Sequence, residues 1–371
     1  FRSCRKRKYL TEEELVEYNL LCQLLPGPSS TQTITLIGYK RGGIPLAVVT
    51  LLIWMFPACF LMGCLSFFVN STHIVSGENR NIFHFLQPMT IGFLLFAGLR
   101  FFKVSVSNTI TRFIFIGSTI ATYLLFRTPW VFPALILLGG FITNLSDKRI
   151  PQQENSKPRQ IRWSNIWLFI LIFTLAGTLS ETARKNNWPE RKPLNLFENF
   201  YRFGSIVFGG GDVLLPMMLD QYVARPEAPR VKSRNPNALK MDKDELLTGY
   251  GIVRAIPGPV FSVASYSGGM MMKDGGFRDQ ILGCIIGAVA IFLPSTLLLL
   301  FFFPVWQNLK KFVIAYRALE GINAVVTGFM FAGVLYLLKE SFSVTIDIPS
   351  LLVFISTTLL LLYTRTPTPV I

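Results

Sequence analysis

Residues 44–69 contain no charged side chain, and this run exceeds the roughly 20 apolar residues that a helix needs to cross a bilayer's hydrocarbon core. In lipid every backbone N–H and C=O must be satisfied internally, so such a segment is a helix or part of a closed barrel. Residues 163–179 and 281–303 have the same character, as do 324–338 and 351–363 with their flanks, while 83–102, 113–126 and 130–144 are weaker examples. Only 15% of the 371 residues are charged, against the roughly 25% that covers a soluble domain. The expected fold is an all-α polytopic membrane protein. No charge-free run follows the basic start, so no signal peptide is expected.

Two polar stretches interrupt the apolar pattern, residues 146–162 and 224–244, and both should lie outside the bilayer. The first divides the chain into a half at 1–145, a linker at 146–162 and a half at 163–371. The halves repeat one another. Pro26-Gly27-Pro28 and Pro257-Gly258-Pro259 stand 231 residues apart, and in the same register Glu14 meets Glu245, Leu15 meets Leu246 and Gly38 meets Gly269 without a gap. Downstream, Gly92-Phe93-Leu94-Leu95-Phe96-Ala97-Gly98 resembles Gly328-Phe329-Met330-Phe331-Ala332-Gly333, and Leu124 to Pro129 resembles Leu362 to Pro367. Paired repeats in a membrane chain are a mark of secondary transporters. Seven helical steps separate the two motifs if every candidate spans, and an odd number makes the repeats inverted.

Proline removes a backbone donor, clashes with the preceding turn and pushes the residue before it toward extended geometry. Each Pro-Gly-Pro should therefore break a helix and let a new one start. Ser29, Ser30 and Thr31 follow the first motif, and Ser262 follows the second. A helix start offers unpaired N–H groups and a positive dipole end, and hydroxyls add neutral donors, so the two starts form a candidate anion site. The bland alternative is a packing kink.

A second motif is Phe208-Gly209-Gly210-Gly211-Asp212, which leads to Pro216. Its glycines serve either close backbone approach with exposed N–H groups or tight helix packing. Glu198 and Arg202, four residues apart, fit a helical ion pair. Arg254 stands just ahead of Pro257, with Gln23 as its counterpart in the first half. It can hold an oxyanion through its fork of donors or reach toward the interface. The acidic clusters Glu12-Glu13-Glu14 and Asp242, Asp244, Glu245 read as helix caps, with a proton relay as the alternative.

The net charge of +15 fits either Lys and Arg gathered in cytoplasmic loops or a basin that attracts anions. Cys4, Cys22, Cys59, Cys64 and Cys284 show no CxxC pairing and read as small buried side chains. With two histidines, no metal or other cofactor is expected, and no constellation points to an enzyme or to nucleic acid.

Taken together, the motifs resemble the chromate ion transporter family in its two-domain form. The likeness rests on the glycine segment ending in Pro216 with its later Pro257-Gly258-Pro259, and on Lys6-Arg7-Lys8-Tyr9-Leu10-Thr11 leading through Glu14 to Pro26-Gly27-Pro28 and Gly38-Tyr39. The resemblance implies a glycine-rich segment ahead of Phe1 and efflux of chromate, with sulfate as a competing or exchanged anion. The expected protein is a multi-pass transporter of the bacterial inner membrane, embedded in lipid and assembled as a homodimer. It binds one inorganic oxyanion between two broken helices and works by alternating access. The rival reading is an anion channel with the same donors.

Overall fold

The computed structural model describes residues 14, 18, 21, 22, 25–72, 85–126, 128, 130–145, 163–189, 191–208, 210–235, 238–309, 313–342 and 348–364. Within them the chain is helical, without strands. All eight apolar runs become helices: α1 (Ser29–Thr72), α2 (Leu86–Ser105), α3 (Thr109–Leu124), α4 (Val131–Asn144), α5 (Ser164–Lys185), and, later, α11 (Phe277–Leu309), α12 (Val313–Phe342) and α13 (Ile348–Tyr363). Between them lie α6 (Arg191–Ile206), α7 (Leu214–Met218), α8 (Pro229–Arg234), α9 (Lys243–Val253) and α10 (Val263–Met272). Helices α1, α2, α5, α11 and α12 are long and apolar enough to cross a membrane. Many of their large apolar side chains face outward, among them Ile53, Phe56, Phe60 and Trp167, as a lipid-facing surface requires.

Both Pro-Gly-Pro motifs break the helix, and the break is a reversal. Glu14, Tyr18, Leu21 and Cys22 are helical before the first motif, and α1 begins at Ser29 after it. A continuous helix would set Glu14 and Lys40 roughly 40 Å apart at 1.5 Å per residue, yet their side chains form an ion pair. In the second half Lys273 pairs with Glu245, and the Tyr266 hydroxyl donates to the Glu245 carbonyl at 3.0 Å, so α10 folds back along α9. Each motif is the tip of a helical hairpin, and in the second half its arms α9 and α10 are 11 and 10 residues long.

The glycine segment makes a third tip. Arg202 on α6 reaches Gln221 at 3.3 Å, and the Phe203 and Tyr222 rings sit 5.9 Å apart, so the chain after Gly211 returns along α6. A π-turn at Leu219–Ala224 extends α7 on this return path.

Two glycines, Gly42 and Gly43, kink α1 into an upstream arm and a long downstream arm, with Gly43 at φ +64°. Gly276, at φ +88°, makes the corresponding turn between α10 and α11.

Equivalent helices run antiparallel. Asn70 bonds Gln280 at 3.2 Å, and Ser66 meets Cys284 at 3.5 Å, which sets the downstream arm of α1 against α11 in opposite directions. The packing is also exchanged between halves: α3 lies on α12 as α13 lies on α2. An added Cβ on Gly27 would collide with Ser295, just after Pro294 of α11, and one on Gly258 would collide with Ala58, just after Pro57 of α1. Each tip thus seats against a mid-helix proline step of the other half. The repeats are inverted about an axis perpendicular to the helices, as the odd step count implied. Five passages rather than seven lie between the Pro-Gly-Pro tips: the downstream arm of α1, then α2, α3, α4 and α5.

Candidate functional site

The three tips converge. The Gly27 N–H donates to the Val207 carbonyl at 2.7 Å, which ties the first Pro-Gly-Pro to the end of α6. Gly211 lies against the second tip, where an added Cβ would come within 2.5 Å of Val260, and the Tyr250 hydroxyl of α9 donates to the Gly211 carbonyl at 3.0 Å. Asp212 completes the junction with an ion pair to Arg254. The glycine tip is therefore wedged between the two proline tips.

Backbone geometry explains the glycines individually. Gly27 (φ +112°), Gly210 (φ +106°) and Gly258 (φ +154°) occupy a region that side chains rarely enter. Close backbone approach or tight packing was expected of the glycine run; Gly210 meets nothing among the described residues and is needed for its φ, whereas Gly211 makes the close contact, against Val260. Gly209 and Gln23 lie outside the described residues.

The expected site residues separate into groups. Ser29, Asp212 and Arg254 line one cavity of about 450 Å³. Pro26, Gly27, Pro28 and Pro259 are buried in the tips, while Pro257 and Ser30 are exposed. Thr31 and Ser262 are 2% and 0% exposed, and neither hydroxyl oxygen has a hydrogen-bond partner among the described residues. They stand 231 residues apart, so they are the same position of the repeat. Other buried hydroxyls, on Thr122, Thr248 and Ser267, also lack partners, but Thr31 and Ser262 occupy matching places just past the two tips. A buried polar atom without a partner carries a cost of about 1–3 kcal/mol, so the same unmet bond in both halves calls for an explanation.

The 450 Å³ cavity also takes in Arg100 and Ser105 of α2 and Asn323 of α12. None of these was singled out from sequence, because the glycine motifs near Arg100 and Asn323 served there only as a sign of duplication. A larger cavity, about 1070 Å³, contains Thr128, Glu181, Arg184, Glu198, Arg202 and Arg225. The expected Glu198–Arg202 pair forms at 2.9 Å. Arg202 and Arg225 both donate to the Gln221 side-chain oxygen, and Arg225 pairs with the buried Asp220. Ser105 lies where α2 leads into α3, and Thr128 lies past the far end of α3. The two cavities therefore open at opposite ends of the bundle, with the tips between them.

Cys22, Cys59 and Cys284 are buried as expected, whereas Cys64 is exposed, because it falls on the outward face of α1. Asp242 caps α9 by accepting from the Asp244 N–H at 2.8 Å, and its neighbour Glu245 serves the hairpin pair instead.

The fold defines a class, a polytopic membrane protein of two inverted halves whose hairpin tips meet between opposed cavities. A family model described as chromate transporter matches residues 2–144 and again 194–371. The chain belongs to the chromate transporter family, a family of transporters and not of enzymes. It is 25% identical to an uncharacterized transporter of Methanocaldococcus jannaschii, across 96% of this chain and 82% of that one. It is 22% identical to the chromate transport protein of Cupriavidus metallidurans, across 98% of this chain and 82% of the relative. No solved structure matches it.

Proposed function

We propose that this protein is a secondary carrier that exports chromate across the bacterial inner membrane, takes sulfate as a competing anion, and works by alternating access. The observation that carries this reading is the pair of repeat-equivalent buried hydroxyls, Thr31 and Ser262, left without partners where three hairpin tips meet. A tetrahedral oxyanion would accept from both hydroxyls, from backbone N–H groups at the tips around Gly210 and Gly211, and from Ser29 and Arg254, which line the 450 Å³ cavity. Mostly neutral donors hold a dianion while still letting it go, which a carrier requires. The opposed cavities supply an entry and an exit, and the inverted halves supply two equivalent conformations in which one tip or the other opens.

Purified protein in sealed vesicles tests this. Chromate uptake should saturate and be stimulated by sulfate or chromate on the far side, with molybdate competing and phosphate competing less. Unsaturable flux indifferent to anion on the far side would replace the carrier with a channel. Absence of flux for every tetrahedral dianion would end the oxyanion reading.

A further inference from the structure

Arg254 and Asp212 face each other across the contact between the glycine tip and the second proline tip, and both line the 450 Å³ cavity. We propose that Asp212 is an internal counter-anion that occupies the Arg254 guanidinium until an oxyanion displaces it, and that one proton joins the Asp212 carboxylate at each displacement. This rests on the proposal that the cavity admits an oxyanion.

A guanidinium presents its N–H groups as a planar fork, and a carboxylate and a tetrahedral oxyanion fit the same fork. Arg254 cannot give that face to both. The Arg254 and Asp212 side chains are 16% and 22% exposed, so the pair is largely shielded from water and yet reachable from the cavity.

Charge governs the exchange between the two anions. The Arg254–Asp212 pair is neutral. A dianion seated on Arg254 beside an ionised Asp212 would leave two net negative charges in a poorly solvated place, and a displaced carboxylate without a partner costs several kcal/mol. Among the described residues, the polar groups facing the cavity from the surrounding elements are Ser29 of α1, Arg100 and Ser105 of α2, and Asn323 of α12. The hydroxyls and the amide are neutral, and Arg100 is exposed, where its charge is screened by water. A proton is the remaining relief. The carboxylate takes up one proton from the bulk solution by way of the cavity water and becomes a neutral acid, so the loaded site carries one net negative charge instead of two. In the first half Gln23 holds the place of Arg254, so the repeat carries this device once.

Sulfate is the probe, because it remains a dianion across neutral pH and adds no titration of its own. In weakly buffered solution the wild-type chain should take up about one proton per sulfate bound, and its dissociation constant should rise toward tenfold per pH unit while Asp212 is ionised. Asp212→Asn should flatten that dependence and bind sulfate more tightly at high pH, and Asp212→Glu should keep the slope. Sulfate binding with no proton uptake by the wild type overturns the proposal even if Asp212→Asn fails to fold. A wild-type slope retained in a folded Asp212→Asn, or weaker sulfate binding by that variant at every pH, overturns it as well. If neither sulfate nor chromate binds at any pH, the oxyanion reading falls first and this inference with it.

Discussion

The two Pro-Gly-Pro tips share a scaffold and differ in chemistry. Each holds its glycine at positive φ, seats it against the residue after a mid-helix proline in the other half, and closes the base of its hairpin with a Glu–Lys pair. Each places a buried, unpartnered hydroxyl at the third position past the motif. The rest diverged: Ser29 and Ser30 at the first tip are replaced by Val260 and Phe261 at the second, and Gln23 stands where the second half has Arg254. On the proposed alternating-access reading, the two halves must fold alike, whereas a single oxyanion would need only one charged contact. The geometry is duplicated and the charge is not.

The largest effects should come from breaking what the tips share. Gly27→Ala and Gly258→Ala force a side chain into positive φ and against Ser295 or Ala58, a cost of about 2–5 kcal/mol taken together. Both variants should lose transport and melt at lower temperature in detergent. Ser295→Gly should partly restore Gly27→Ala, and Ala58→Gly should partly restore Gly258→Ala. Failure of both rescues, with the single variants impaired, would show that the cross-half contacts are not what the glycines serve.

Next comes the asymmetric charge. Arg254→Gln makes the second tip resemble the first and removes a charged hydrogen-bond donor worth about 1.5–3 kcal/mol, so anion affinity should fall tenfold or more. Binding titration with sulfate reads this directly, and an unchanged constant would remove Arg254 from the site. The matched hydroxyls rank third. Thr31→Val and Ser262→Ala should each raise the half-saturation concentration for chromate, by about tenfold if the hydroxyl donates to the anion. Equal effects would place the anion midway between tips, and an effect at only one would place it in that half.

The smallest effect belongs to the hairpin pairs. Glu245 and Lys273 are less exposed than Glu14 and Lys40, so Lys273→Glu should slow transport more than Lys40→Glu. Exposed ion pairs contribute about 1 kcal/mol or less, and the double exchange Glu245→Lys with Lys273→Glu should recover most of the loss.

Much of the fold was legible because lipid imposes length on apolar runs, and all eight became helices. Proline chemistry located both breaks but left their direction open, since a proline stops a helix without saying where the chain goes next. The signal for reversal was present in the acidic clusters: Glu14 and Glu245 each have a lysine the other side of the motif, Lys40 and Lys273, within two residues of the same spacing. Read as caps, they concealed the hairpins. Of the expected site residues, those beside a motif could be picked out in advance: Ser29, Asp212 and Arg254 line the 450 Å³ cavity, and Thr31 and Ser262 lie buried just past the tips. Arg100 and Asn323 reach the same cavity from α2 and α12, and their approach depends on helix packing that no local pattern records.

Helix α5 falls between the two segments that match the family, and most of its surface is left uncovered by the rest of the protein. After the first tip, the downstream arm of α1 with α2, α3 and α4 brings the chain back to the face it left. A second copy joined there head to tail would insert the same way up as the first. Helix α5 adds one more crossing, which is how a gene copied in a single direction can yield two halves that sit in the membrane upside down to each other. Its contribution is to orientation, so its outward side chains should tolerate any apolar replacement, whereas its length should not tolerate loss of a crossing.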